Sequence, residues 1–165
     1  ALAPQTQQRP NVTESDVNAM VKKLEARMAL EPNDTKGWLM LARSYRAQAR
    51  YAEAISAYEK AWPEIKQNAT ELARFAGSLA IENNSFVGKP TDLLAKALTI
   101  NASEPDALML AGSAAVELGD KTAAAKWWNT LLILLEPGSE DALWLKEEIR
   151  MLDEKTATPP PAGSN

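Results

Sequence analysis

The chain has 165 residues, 18 Lys/Arg against 22 Asp/Glu for a net charge of −4, and neither Cys nor His. Those absences exclude disulfides, thiol nucleophiles, thioether haem attachment and the commonest metal ligand and acid–base group. The acidic balance opposes nucleic acid, and no apolar run approaches the roughly 20 residues of a membrane span, the best being Leu131 to Leu135.

The chain opens at Ala1 rather than Met, which fits a processed or excised piece. Residues 1–13 read as a disordered linker, Pro/Gln-rich and without apolar period. A first helix is expected near 14–30, begun by the capping-box pattern Thr13-x2-Asp16 and carrying Val17, Met20, Val21, Leu24 and Met28. Helix pairs are then expected near 35–48 and 51–62, 69–82 and 90–100, and 104–118 and 120–135, with a last helix near 139–154. Asp34, Asn68, Asp120 and Ser139 suit N-caps, because their side chains accept from unpaired first-turn amides, and Ser103-x2-Asp106 reads as another capping box. Pro32, Pro63 and Pro137-Gly138 mark stops. Residues 155–165 hold Pro159-Pro160-Pro161 and read as a disordered Pro-rich tail, leaving 14–154 as one domain.

Within that domain a pattern recurs. Trp38, Leu41, Ala42 and Tyr45, then Ala54, Tyr58 and Ala61, spell W-x2-L-A-x2-Y … A-x3-Y-x2-A. Leu72-x2-Phe75-Ala76-x2-Leu79 restates the first half, and its second half, Leu94-x2-Ala97, arrives late after a loop grown around Asn83, Asn84 and Gly88. A third copy runs Leu108-x2-Ala111-Gly112-x2-Ala115, the turn Gly119-Asp120, then Ala124-x3-Trp128-x2-Leu131. The small residues let helix backbones approach and the large ones fill the gaps. This pattern resembles the tetratricopeptide (TPR) repeat, a helical hairpin that buries itself only by stacking on its neighbours. The expected fold is therefore all-α: a TPR-like superhelix of about three repeats, with an N-terminal helix and a C-terminal capping helix. In that last helix Ala142, Leu145, Ile149 and Leu152 would cover the third repeat, while Glu147, Glu148, Asp153 and Glu154 face water.

Stacked hairpins make a groove rather than a catalytic pocket. With Trp38, Leu41 and Tyr45 on the packing stripe, Lys36, Leu39, Arg43 and Arg46 fall on the neighbouring inward stripe. The same offset gives Thr70, Ala73, Gly77 and Ala80, then Asp106, Met109, Ser113 and Val116; Leu143 and Arg150 follow on the final helix. Small residues at Ala73, Gly77, Ala80 and Ser113 would leave room for a helix or extended segment. Leu39 and Met109 also fit a place in the core. Charge is graded: residues 14–50 carry more basic than acidic side chains and 136–154 the reverse, which would orient a peptide. TPR domains that grip a C-terminal carboxylate use a Lys/Asn clamp in this region. Leu39 and Ala73 stand at those positions, so an apolar ligand fits better.

Other motifs explain less. Gly88-Lys89-Pro90-Thr91 lacks the earlier Gly of a phosphate loop, and Pro90 removes an amide such a loop needs. The sequons at Asn11, Asn68, Asn83 and Asn101 sit where a turn or cap accounts for most of them. Glu147-Glu148 and Glu53/Glu59 have no His, metal set or nucleophile nearby and read as solvated faces. Nothing points to an enzyme or a cofactor.

A narrower resemblance lies in Leu30-Glu31-Pro32-Asn33-Asp34-x3-Trp38, Arg50-Tyr51-x-Glu53-Ala54-x3-Tyr58 and Trp127-Trp128-x2-Leu131-Leu132. These look like the periplasmic TPR domain of cytochrome c maturation proteins, the CcmI/CycH and NrfG types. Pro63 departs from the usual closing Pro by falling early. The resemblance implies a non-catalytic module that holds the C-terminal segment of apocytochrome c and delivers it to haem-ligation membrane proteins. It also implies a periplasmic place, tethered to the inner membrane by a segment outside this chain, with no nucleic acid partner and no direct membrane contact. The other reading is an adaptor for another envelope complex, such as a pilus or secretion apparatus.

Overall fold

A computed structural model describes residues 12–154; the expected linker and tail, except Val12 and Thr13, lie outside the described residues. The described chain is helical and without strands. The helices are α1 (Glu14–Leu30), α2 (Thr35–Ala47), α3 (Tyr51–Lys60), α4 (Trp62–Ile65), α5 (Ala69–Asn83), α6 (Lys89–Ile100), α7 (Pro105–Glu117), α8 (Lys121–Leu134) and α9 (Glu140–Glu154). None is long and apolar enough to cross a membrane.

Local chemistry accounts for where they start. Thr13 and Asp16 close a reciprocal capping box, with the Asp16 amide 3.2 Å from Thr13 Oγ1 and the Thr13 amide 2.9 Å from Asp16 Oδ2. Asp34, Asn68, Asp120 and Ser139 each accept a first-turn amide. The expected box at Ser103 does not form. Pro105 occupies the first turn of α7, where its missing N–H costs nothing, and Glu104 becomes the N-cap. Pro63 acts likewise: the helix expected to 62 ends at Lys60, and Pro63 sits in the first turn of the added α4.

Three helices end alike. Ala49, Asn84 and Gly119 take left-handed backbone (φ 56°, 50° and 74°), and the next amide returns to the carbonyl of Tyr45, Ala80 and Ala115 respectively. After Ala49 and Gly119 the partner helix follows at once. After Asn84 the chain inserts Ser85, Phe86 and Val87 before Gly88, which is why the second repeat runs late.

Packing is sequential. α1 lies on α2, α2 on α3, α3 on α5, α5 on α6; α5 and α6 meet α7, then α7 packs on α8 and α8 on α9. One apolar cluster spans α1 to α7 around Leu41, Tyr58, Ile65, Leu72 and Phe75, the Tyr58 and Phe75 rings stacked with centroids 5.2 Å apart. A second joins Leu108, Trp128, Leu131, Leu145 and Leu152. Close approach depends on glycine at Gly112, where a Cβ would lie 2.0 Å from Trp128 Nε1. That nitrogen donates to the Met109 carbonyl at 3.1 Å. Trp38 is only half-buried; its Nε1 donates to the Pro32 carbonyl at 2.8 Å and Lys60 lies over its ring.

Candidate peptide-binding groove

Register along the leading helices follows from their caps. The amides of Trp38, Leu72, Leu108 and Leu143 each donate to the carbonyl of the N-cap residue, Asp34, Asn68, Glu104 and Ser139. These four are therefore equivalent positions of α2, α5, α7 and α9. The stripe beside them is Lys36, Leu39, Arg43, Arg46; then Thr70, Ala73, Gly77, Ala80; then Asp106, Met109, Ser113, Val116. On α9 the register continues as Asp141, Trp144, Glu148 and Met151. Leu143 matches Trp38, and Arg150 lies on the same flank, tied to Glu147 and Glu154. The two residues expected on α9 are thus shifted by one position from the stripe, and Trp144 and Met151 take their places. Counting from the Ser139 cap would have found them.

The stripe changes character along its length. In the first repeat Lys36, Arg43 and Arg46 are exposed and Leu39 is half-buried against the core. In the second, Ala73 is fully closed off, and Gly77 and Ala80 are buried, so they supply thin backbone rather than side-chain surface. A Cβ at Gly77 would meet Leu110 Cδ1 at 3.2 Å, which shows how closely α7 approaches. Gly77, Ala80, Ile81, Leu110 and Glu117 contribute to a shallow hollow of about 380 Å³. In the third repeat Met109 packs partly on the second cluster, Ser113 returns its Oγ to the Met109 carbonyl at 3.2 Å, and Val116 is exposed. Trp144 and Met151 are exposed at 51% and 39%.

Two carboxylates hold the face in shape. Glu71, 2% exposed, accepts from Arg43 of the preceding repeat, from Arg74, and from the Tyr58 hydroxyl at 3.3 Å. Arg74 reaches on to Asp106 at 3.7 Å. Burial raises the Tyr58 phenol well above its ordinary value, and the Glu71 charge adds to this. Glu117 pins the enlarged loop, accepting from Ser85 Oγ at 2.5 Å and the Phe86 amide at 2.8 Å. Those bonds, Ser85 first, hold its carboxyl below the usual range. Sequence reasoning missed Glu71 as a buried charge, since nothing in its local pattern separates it from surface glutamates. Among the described residues no cluster of acidic side chains is arranged to hold a metal.

The sequence model of the cytochrome c-type biogenesis protein H TPR domain matches residues 4–142, most of the chain. The chain belongs to that family. As a cytochrome c biogenesis TPR domain it is 26% identical over 145 residues to CycH of Rhizobium meliloti, covering 87% of this chain and 37% of the relative. It is 29% identical over 135 residues to CycH of Pseudomonas aeruginosa, covering 81% and 32%. NrfG, a formate-dependent nitrite reductase complex subunit of Escherichia coli, is 25% identical over 126 residues, covering 76% and 64%. The domain thus spans about a third of the length of the CycH relatives. Among solved structures, MamA superposes with a TM-score of 0.66 at 16% identity, covering 88% of this chain and 94% of MamA. The first TPR of Spaghetti (RPAP3), solved with an HSP90 peptide, superposes at 0.63 and 22% identity, covering 75% and 94%. These likenesses establish the TPR fold.

Proposed function

We propose that this domain is a non-catalytic binding module that holds the C-terminal segment of an apocytochrome c in the groove and presents it to haem-ligation membrane proteins. The observation that carries the reading is the graded stripe in a member of a cytochrome c biogenesis family: cationic at Lys36 and Arg46, with Arg43 tied to Glu71; closed over the buried Ala73, Gly77 and Ala80; apolar at Met109 and Val116. An amphipathic segment laid there would bury its apolar side while its carboxylate end meets the cations. Such a domain works in the periplasm, held near the inner membrane by a segment outside this chain. Affinity comes from apolar burial, reduced by the cost of ordering a disordered client.

Once haem is attached and the client folds, its apolar stripe is already packed, so the domain releases it. Calorimetric titration with apo- and holocytochrome c of the same organism tests this. Binding of the apo form alone, or much tighter binding of it, is expected. Equal affinity for both, or none for either, would favour an adaptor for another envelope complex.

A further inference from the structure

We infer that Trp144, with Met151 and the carboxylates of Glu148 and Asp141, forms a second anchoring subsite of the groove that takes a Lys or Arg side chain and its apolar neighbours. The inference rests on the groove reading above, and it fixes the chemistry of the ligand's far end.

The tryptophans carry the argument. Trp38 donates to the Pro32 carbonyl and lies under Lys60; Trp128 donates to the Met109 carbonyl. Trp62 and Trp127 lie under Lys96 and Lys126 at 4.8 and 5.2 Å. Trp144 alone among the described tryptophans has neither a hydrogen-bond acceptor nor a cation, and half of its surface is open. A bare indole face in water forgoes the interaction that three of the others make with a lysine of this chain. Indole is also a common anchor at protein interfaces, because it combines large apolar area with few rotors.

Its surroundings select the charge. Asp141 and Glu148 share its stripe, and among the described residues neither has an ion pair. On the opposite flank of α9 the carboxylates of Glu147 and Glu154 already have a cation, Arg150. Met151, in register with Arg46, extends the apolar surface beside Trp144. Met109 packs on the cluster to which α9 contributes Leu145 and Leu152, with α8 between the two helices. A cation over Trp144 would meet a carboxylate, and its alkyl stem would lie on the indole and Met151. The opposite end of the stripe is cationic at Lys36 and Arg46. A ligand would therefore place its carboxylate end on α2 and a basic, apolar end on α9.

The test uses two synthetic amphipathic helical peptides with free C-termini, one with lysines in its N-terminal turn and one with glutamates there. Fluorescence anisotropy reads their affinity for the whole domain. The lysine peptide should bind more tightly, and Trp144→Ala should weaken it by at least about tenfold without lowering the thermal midpoint appreciably. Glu148→Lys should reverse the preference between the two peptides, which keeps the test decisive if Trp144→Ala disturbs folding. If Arg46→Glu weakens binding but Trp144→Ala and Glu148→Lys do not, the subsite is overturned and the groove stands. If none of the three matters, the groove reading itself fails.

Discussion

Arg43 and Glu71 join successive repeats: Nη2 and Nε of the Arg43 guanidinium lie 2.8 and 3.0 Å from Oε1 of a carboxylate that is all but closed off from water. Arg74 approaches the same oxygen at 3.0 Å. A buried carboxylate with such partners is destabilising to break, because removing one side strands the other. Glu71→Ala should cost about 2–3 kcal/mol, since Arg43 and Arg74 are each part-exposed and recover some hydration. Arg43→Ala alone should cost no more than about 1 kcal/mol, with Arg74 still in place. Urea unfolding of the two variants checks the order; equal losses would mean that the carboxylate is satisfied in some other way.

The same pairing changes which arginine reports on binding. Reversing Arg43 would set two carboxylates together and disturb the fold. Arg46 is exposed and has no ion pair among the described residues. Arg46→Glu should leave the thermal midpoint nearly unchanged and weaken an acidic or C-terminal peptide, more at low salt than at high. Titrations at two ionic strengths decide it, and a salt-independent effect would place Arg46 outside the contact.

Trp128 and Gly112 are mutually dependent. Gly112→Ala puts a methyl group 2.0 to 2.6 Å from indole atoms that are fixed by the hydrogen bond to Met109. Overpacking against a rigid ring should cost about 3 kcal/mol, and Trp128→Ala a comparable 3–5 kcal/mol through the cavity left in the second cluster. Trp38→Ala should cost less, because that ring is half-exposed. The double change Gly112→Ala, Trp128→Ala should lose less than the sum of the singles. Strict additivity in denaturant unfolding would separate the two sites.

Ala49 occupies the left-handed position that Gly119 fills in the third repeat. An L side chain there costs about 1 kcal/mol or more. Ala49→Gly should therefore stabilise by about 0.5–1 kcal/mol and Gly119→Ala should destabilise by a similar amount. A lower midpoint for Ala49→Gly would show that the Ala49 conformation is not the strained one.

Two titrations bracket the useful pH range. The Glu117 carboxyl is held low by Ser85 and then by the Phe86 amide, so its contribution is present above the ordinary carboxylate range and lost as pH falls through the depressed value. Below about pH 4 the wild type should lose its stability advantage over Glu117→Gln. At the other end, burial and then the bond to Glu25 raise the Tyr45 phenol to about 12. That contribution is complete below about pH 10 and disappears as pH rises toward the folded value. Tyr45→Phe should flatten the alkaline loss seen in thermal scans. Parallel curves for wild type and variant at either end would remove that group from the balance.

Helix starts were legible because capping is a local event between residues three apart. Asp34, Asn68, Asp120 and Ser139 act as the sequence predicts, and the alternation of large and alanine positions in the first and third repeats announces the stacked hairpins. Proline marked boundaries but not always the expected side of them: Pro63, expected as a stop, opens α4, because a first turn has no use for the missing amide.

What the sequence alone determined, then, is every helix but the short α4 and most of their caps, both of which rest on interactions within one or two turns, and the membership of a repeat family, which rests on a recurring pattern. Tertiary structure decided which side chains remain available. Ala73, Gly77 and Ala80 share a stripe with Arg46 and Val116, yet the close approach of α7 shuts them away. Glu71 resembles any surface glutamate until Arg43, Tyr58 and Arg74 close around it. Trp144 rather than Leu143 falls in register with Leu39 and Met109, because α9 turns Ala142, Leu145 and Leu152 onto α8 and the second cluster. Burial of this kind is settled by contacts between residues about thirty apart, whose register depends on loop lengths such as the insertion at Ser85 to Val87. No local pattern encodes that distance.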